Sequence, residues 1–293
     1  MPRFRRAFSL ILTAVSSLLF VQTAFAEVRV GPWQHIFKGV DCMSGSADAK
    51  EPRLQQVRGV RIDLRAPGLR FFSTPHVGLR ETLGQTASEF LQQHKLQVAM
   101  NANFFDLVKE TPVPLDLLGL SISEGRVVSP PAPGYPAVCF TVDNRASFII
   151  DTPAKFSTTG IHTAVAGGRT LLIEGKNVGG KYGPSVHPRT AVGLTKDRQT
   201  MFWLVIDGRQ PGYSLGATDA ETGDWMMRLG GDDAVMLDGG GSTALVRCDA
   251  AGKPVMLNRP IHGHVPGRER FNGNHLGLFA GTLEKAGRSK SNK

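Results

Sequence analysis

The run Asp238-Gly239-Gly240-Gly241-Ser242-Thr243 sets a carboxylate beside three residues without a Cβ and two hydroxyls. Such a backbone reaches positive φ and lets a ligand come close, and its amides form an anion-friendly concavity. Three other stretches carry groups of matching chemistry: Asn101-Ala102-Asn103-Phe104-Phe105-Asp106, His187-Pro188-Arg189 and Asp207-Gly208-Arg209. A fifth cluster gathers Arg268, Arg270, Asn272, Asn274 and His275. Asp207 and Asp238 offer general acid, general base or nucleophilic capacity. Arg189 and Arg209 offer planar forks for an anion, and the glycine loop adds donors without bulk. Together these groups suit hydrolysis at a sugar that bears a phosphate leaving group. Taken singly, each is equally compatible with a structural ion pair or a capped turn.

The elements that must position them follow from the apolar pattern. Val57 to Leu64 and Arg70 to Ser73 read as strands around the turn Ala66-Pro67-Gly68, and Gln97 to Met100 as a buried strand ending at Asn101. A hairpin is expected within Leu118 to Val128, and a strand over Ser147 to Ile150. Ala191 to Thr195 and Thr200 to Ile206, the latter apolar throughout from Met201, flank the turn Lys196-Asp197-Arg198-Gln199, the strongest hairpin pattern in the chain. Because the start of one hairpin strand lies beside the end of its partner, Arg189 is expected near Asp207, and both in one cavity with Asp238. Ala234 to Leu237 is a strand running into Asp238, and Gly167-Gly168 marks a sharp turn or a close approach. Thr86-Ala87-Ser88-Glu89 and Thr218-Asp219-Ala220-Glu221 have capping-box spacing, predicting helices over Ser88 to Lys95 and within Gly216 to Gly231. The expected fold is mixed α/β (α+β): one domain over residues 27–283 with a central mixed sheet, flanking helices and a polar cavity at strand ends.

Residues 1–26 carry Arg3, Arg5 and Arg6, an apolar stretch from Leu10 to Val21, and Ala24-Phe25-Ala26. This is the pattern of a cleavable signal peptide, so the mature chain is expected to begin at Glu27, in the periplasm or outside the cell. No later segment is apolar enough to span a bilayer. The net charge of +9 belongs largely to the ends: three arginines precede Glu27, and residues 284–293 form a basic tail expected to be disordered. With no interleaved aromatic and basic surface pattern, nucleic acid is not an expected partner. Cys42, Cys139 and Cys248 match no zinc spacing and allow at most one disulfide. His262-Gly263-His264 lacks a third ligand nearby; no cofactor is required, and a divalent cation on Asp238 or Asp106 stays open.

The ordered set Asn101 to Asp106, Ala166-Gly167-Gly168 with Leu171-Leu172, Pro188-Arg189-Thr190-Ala191-Val192-Gly193, Asp207-Gly208-Arg209 and Leu237 to Thr243, with Arg270 to Leu276 more weakly, resembles the phosphodiester glycosidases. The resemblance spans Val57 to Phe279. It implies a mixed α/β domain, a cavity lined by the motif residues, and cleavage of a glycosyl 1-phosphodiester that releases the sugar. By position, Asp238, Asp207 and Arg189 are the expected catalytic residues. Asn103, Arg209, Gly239, Gly240, Gly241, Ser242, Thr243 and Asn274 are the expected substrate-binding ones. Ala102-Asn103 stands where the family more often has a glycine pair, and His187 flanks the Pro188 loop, so substrate preference can differ. The expected partner is a sugar-phosphate or polysaccharide of the envelope or an exopolysaccharide. The alternative is a periplasmic factor that holds an anionic glycan without cleaving it.

Overall fold

The computed structural model describes residues 28–48, 53–106, 113–150, 153 and 156–283. The expected signal peptide and basic tail lie outside the described residues. The central element is a nine-stranded sheet in which Gln55–Asp63, Thr200–Ile206, Arg189–Leu194, Asp233–Met236 and Arg169–Ile173 lie in that spatial order. A five-stranded sheet runs Pro254–Met256, Leu245–Cys248, Val98–Asn101, His275–Phe279, Arg70–Ser73. A second five-stranded sheet is built from Arg126–Ser129, Ser121–Ser123, Thr163–Ala166, Ala137–Phe140 and Ala146–Ile149. The expected α+β class holds coarsely, but the sheets dominate and the central one is not mixed. Its pairings among the described residues are antiparallel.

The strand Thr200–Ile206 explains how the layers stack. Its side chains alternate, with Met201, Trp203 and Val205 entering the larger core and Phe202, Leu204 and Ile206 the smaller one. Both faces are therefore covered, which is why its sequence is apolar from Met201 to Ile206. The larger core joins the central sheet to the Leu245–Cys248 sheet and to helix α1, Ala87–His94, through Phe71, Phe90, Met100 and Leu276. The smaller core seats helix α2, Asp219–Leu229, through Trp225 and Met226.

Both helices start where the capping boxes predict. Thr86 accepts from the amide of Glu89, Thr218 accepts from that of Glu221, and each Glu returns a bond to the cap backbone. Lys95 and Gly230 end them in the left-handed region, with φ of 54° and 102°. The predicted hairpin has Arg189 opposite Ile206 and Leu194 opposite Met201. The two strands flanking Ala66-Pro67-Gly68 do not pair with each other: Gln55–Asp63 joins the central sheet, and Arg70–Ser73 pairs with His275–Phe279.

Candidate active site

The strand Asp233–Met236 delivers Leu237 and Asp238 to the edge of the sheet, and the chain then folds into a 3-10 turn, Gly240–Ser242. The amide of Asp238 donates to the carbonyl of Ala102 at 2.9 Å, and Gly240 donates to Pro188 at 2.9 Å. Two of the glycines are required where they stand. A Cβ on Gly239 would lie 2.7 Å from the Pro188 carbonyl oxygen. Gly240 has φ of 63°, and a Cβ there would meet the Arg209 guanidinium at 2.9 Å. The loop is thus clamped between the Asn101 segment and the Pro188 segment, while its open side faces a cleft.

That cleft, about 280 Å³, is lined by Phe104, Arg169, Ser185, His187, Arg189, Arg209, Met236, Asp238, Gly239 and Gly240. Arg169, Arg189 and Arg209 thus line the same cleft as Asp238. Burial pushes the carboxyl of Asp238 up to about 6, against the opposing pull of Ser242, Arg270, the Gly239 amide and Arg209. The Gly239 amide donates to Asp238 Oδ1 at 2.8 Å, and Arg270 Nη1 donates to Ser242 Oγ at 3.3 Å.

Arg189 is almost wholly buried, and burial lowers its pKa. Its Nη1 lies 2.9 Å from Asp219 Oδ1, Nε donates to Ala217 at 2.8 Å and Nη2 to Ser185 at 2.6 Å. The other oxygen of Asp219 pairs with Arg169. Asp219, the first residue of α2, thus holds two cleft arginines at once. Arg209 adopts φ of 57° and is exposed, with Nη2 3.2 Å from His187 Nδ1.

Asp207 does not share this cleft with Arg189. The register sets Arg189 opposite Ile206, whose side chain belongs to the smaller core. Alternation then sends Asp207 to the face of Val205, on the far side of the sheet. There it is buried, accepting from Tyr213 Oη at 3.1 Å, Asn258 Nδ2 at 2.9 Å and the Arg259 amide at 3.0 Å. Arg189 and Asp207 are thus neighbours along the hairpin but on opposite faces of the sheet.

Asn103 and Asn274 are buried behind the cleft and spend their polar atoms on the protein itself. Asn103 Nδ2 donates to the carbonyls of Leu118 and Leu120 at 3.1 and 3.2 Å, and its Oδ1 accepts from Ala166 and from Asn274 Nδ2. Gly241 packs against His262, while Ser242 and Thr243 are buried. Asp106 pairs with Arg80 at 3.0 Å. Among the described residues no three His, Cys, Asp or Glu side chains group so as to hold a metal ion, and the three cysteines are free thiols.

Two contributors, Arg169 and Asp219, are not marked as site residues by the sequence, and a third, Asn101, is marked only by position. Arg169 follows the glycine pair directly, a placement that could have marked it. In the sequence, Asp219 stands out only as part of a capping box. Asn101 was noted for its strand-end position, yet its role depends on a loop 137 residues away in the chain.

The family model for phosphodiester glycosidases matches residues 94–279. The chain belongs to the phosphodiester glycosidase family. The match encloses every lining residue of the cleft. Among curated proteins none matches by sequence. Among solved structures, the fold is similar to the pro-peptide-inhibited catalytic domain of zebrafish N-acetylglucosamine-1-phosphodiester alpha-N-acetylglucosaminidase, with TM-score 0.61 and 16% identity over 86% of this chain and 87% of that one. A hypothetical protein from Synechocystis gives TM-score 0.60 and 14% identity over 87% of this chain, which spans only 64% of the Synechocystis chain. A Burkholderia pseudomallei protein gives TM-score 0.57 and 16% identity, covering 77% of this chain and 74% of that one. At these identities the likeness is one of fold.

Proposed function

We propose that this phosphodiester glycosidase family member hydrolyses the bond between the anomeric carbon of a sugar and a phosphodiester group. The observation that carries this reading is Asp238, the one carboxylate among the described lining residues, in the same cleft as Arg169, Arg189 and Arg209. The guanidinium groups suit the phosphoryl oxygens. A phosphate monoester is a stable anion and leaves without taking up a proton, so the second carboxylate that most glycosidases use as an acid is not needed. Asp238 acts as base. It takes a proton from a water whose oxygen attacks the anomeric carbon, the C–O bond breaks with its electron pair going to the phosphoryl oxygen, and free sugar and phosphate monoester result. With water as the nucleophile and Asp238 as its base, the reaction is a single displacement that inverts the anomeric centre.

The test is turnover of a panel of sugar 1-phosphodiesters with the anomer of the released sugar followed by NMR. Release with inversion is expected; retention would overturn the single-base assignment. A cleft with one carboxylate and three guanidinium groups also suits a binder of an anionic glycan. Tight binding of the whole panel without turnover of any member would establish that second reading instead.

The reading includes export, supported by the basic start, the apolar run and Ala24-Phe25-Ala26. Its substrates are then sugar phosphodiesters of the envelope or an exopolysaccharide. An intact mass beginning at Glu27 is expected for the chain recovered outside the cytoplasm; a mass retaining Met1 would refute the cleavage.

A further inference from the structure

His187 lines the cleft, and its backbone is pinned by paired hydrogen bonds with Ala217, at 3.1 Å from its amide and 2.9 Å to its carbonyl. Its Nδ1 lies 3.2 Å from Nη2 of Arg209. A guanidinium has five N–H donors, no acceptor, and does not lose its proton in a protein. A hydrogen bond across that contact therefore requires Nδ1 to present its lone pair, which leaves the imidazole proton on Nε2. Among the described residues none bonds Nε2, so there this donor is open to a ligand. Protonating Nδ1 would oppose N–H to N–H and bring a cation against Arg209, with Arg189 and Arg169 also near and Asp219 as the opposing charge. Burial and these arginines hold the imidazole below its ordinary value, with Asp219 acting the other way.

We propose that His187 is fixed as the neutral Nε2–H tautomer and supplies a donor to a phosphoryl oxygen of the anion gripped by Arg209. The inference rests on the phosphodiester reading of the cleft. Because its free nitrogen already carries a proton, His187 cannot serve as the base, which leaves that task to Asp238. A neutral donor also adds a directed bond without a fourth positive charge, a disposition suited to a singly charged phosphodiester.

Two variants separate the nitrogen atoms. In His187→Asn the carboxamide oxygen can still accept from Arg209, but nothing reaches the place of Nε2. In His187→Gln the amide N–H reaches that place and the Nδ1 acceptor is lost. Binding of dimethyl phosphate, a phosphodiester monoanion without a sugar, is followed by NMR titration. His187→Asn should weaken it about tenfold, as expected for one lost bond to a charged group, while His187→Gln stays within about threefold of wild type. The imidazole 15N spectrum of the wild type should show the Nε2–H form at about pH 8, with protonation setting in only below the ordinary histidine value. Equal loss in both variants, no loss in either, an Nδ1–H or doubly protonated ring at neutral pH, or no binding by the wild type would each overturn the proposal. A chain that turns over no sugar phosphodiester yet shows this binding pattern supports the donor and overturns the hydrolase reading instead.

Discussion

The side-chain amide of Asn101 donates to the backbone carbonyl of Asp238 at 2.6 Å, joining the end of a strand in one sheet to the catalytic-loop candidate at the end of a strand in another. The same side chain accepts through Oδ1 from Thr190 Oγ1 at 2.9 Å and from the Ala244 amide at 3.1 Å. One buried carboxamide thus ties both ends of the glycine loop to the Arg189–Leu194 strand.

Asn101→Ala removes all three bonds and leaves a buried carbonyl and amide unmatched. A loss on the order of 3 kcal/mol is expected, since each unsatisfied buried group costs about 1–3 kcal/mol. Urea unfolding measures this. Turnover per folded molecule should fall as well, because the loop loses its anchor; unchanged turnover would show that Asp238 is positioned without Asn101.

Asp219→Asn tests the double arginine pairing. The variant keeps the size of the side chain but leaves Arg189 buried without its counter-charge. Breaking a buried pair in this way typically costs about 3–5 kcal/mol. The same substitution should weaken anion binding, because Arg169 loses the partner that aims it into the cleft. Thermal melting and titration with inorganic phosphate read the two effects. Full retention of both would mean that the arginines are held by Ala217, Ser185 and the Tyr182 ring alone.

The distribution of what was legible follows from the range of the interactions. Capping boxes, the hairpin and the buried run from Met201 to Ile206 are local, so composition and spacing suffice to find them. The glycine loop was legible because the absence of Cβ atoms is itself a conformational requirement. The face occupied by Asp207 was not, since it turns on continuing the strand alternation one residue past Ile206 into an irregular segment. Asn103 and Asn274 have the same residue types as ligand-binding groups, and only their partners show that their polar atoms are used internally. The strands on either side of Ala66-Pro67-Gly68 enter different sheets because long-range pairing outweighs a local turn pattern.

Asp207→Asn tests the consequence of its placement. Burial pushes the Asp207 carboxyl up, opposed by its bonds to Asn258, Arg259 and Tyr213. A neutral carboxamide can still accept but introduces two donors beside the Asn258 and Arg259 donors, so stability should fall by about 1–3 kcal/mol. Turnover per folded molecule should stay within about threefold of wild type. A loss comparable to that of Asp238→Asn, with the melting temperature unchanged, would return Asp207 to the chemistry.

Asp238 should act in its ionised form, with its carboxyl raised to about 6. Turnover is therefore expected to rise with pH through about 6 and then level off, two units above the limb of an ordinary aspartate near about 3.9. A fall in turnover above that point would mark Asp238 as a proton donor. Stability has the opposite sign. A carboxyl whose folded pKa is raised binds its proton more tightly when folded, so its contribution is full below the unfolded value and is lost as pH rises through about 6. Asp238→Asn lacks this penalty and should match wild type near pH 4. At pH 7 it should be more stable by on the order of 1 kcal/mol, discounted because the carboxylate opens onto the cleft. In the same variant turnover should drop by about 10²-fold or more, as expected when a general base is removed. Melting curves at the two pH values and the phosphodiester assay, run on one preparation, measure both. Loss of turnover together with loss of stability at pH 7 would instead make Asp238 a structural residue of the loop.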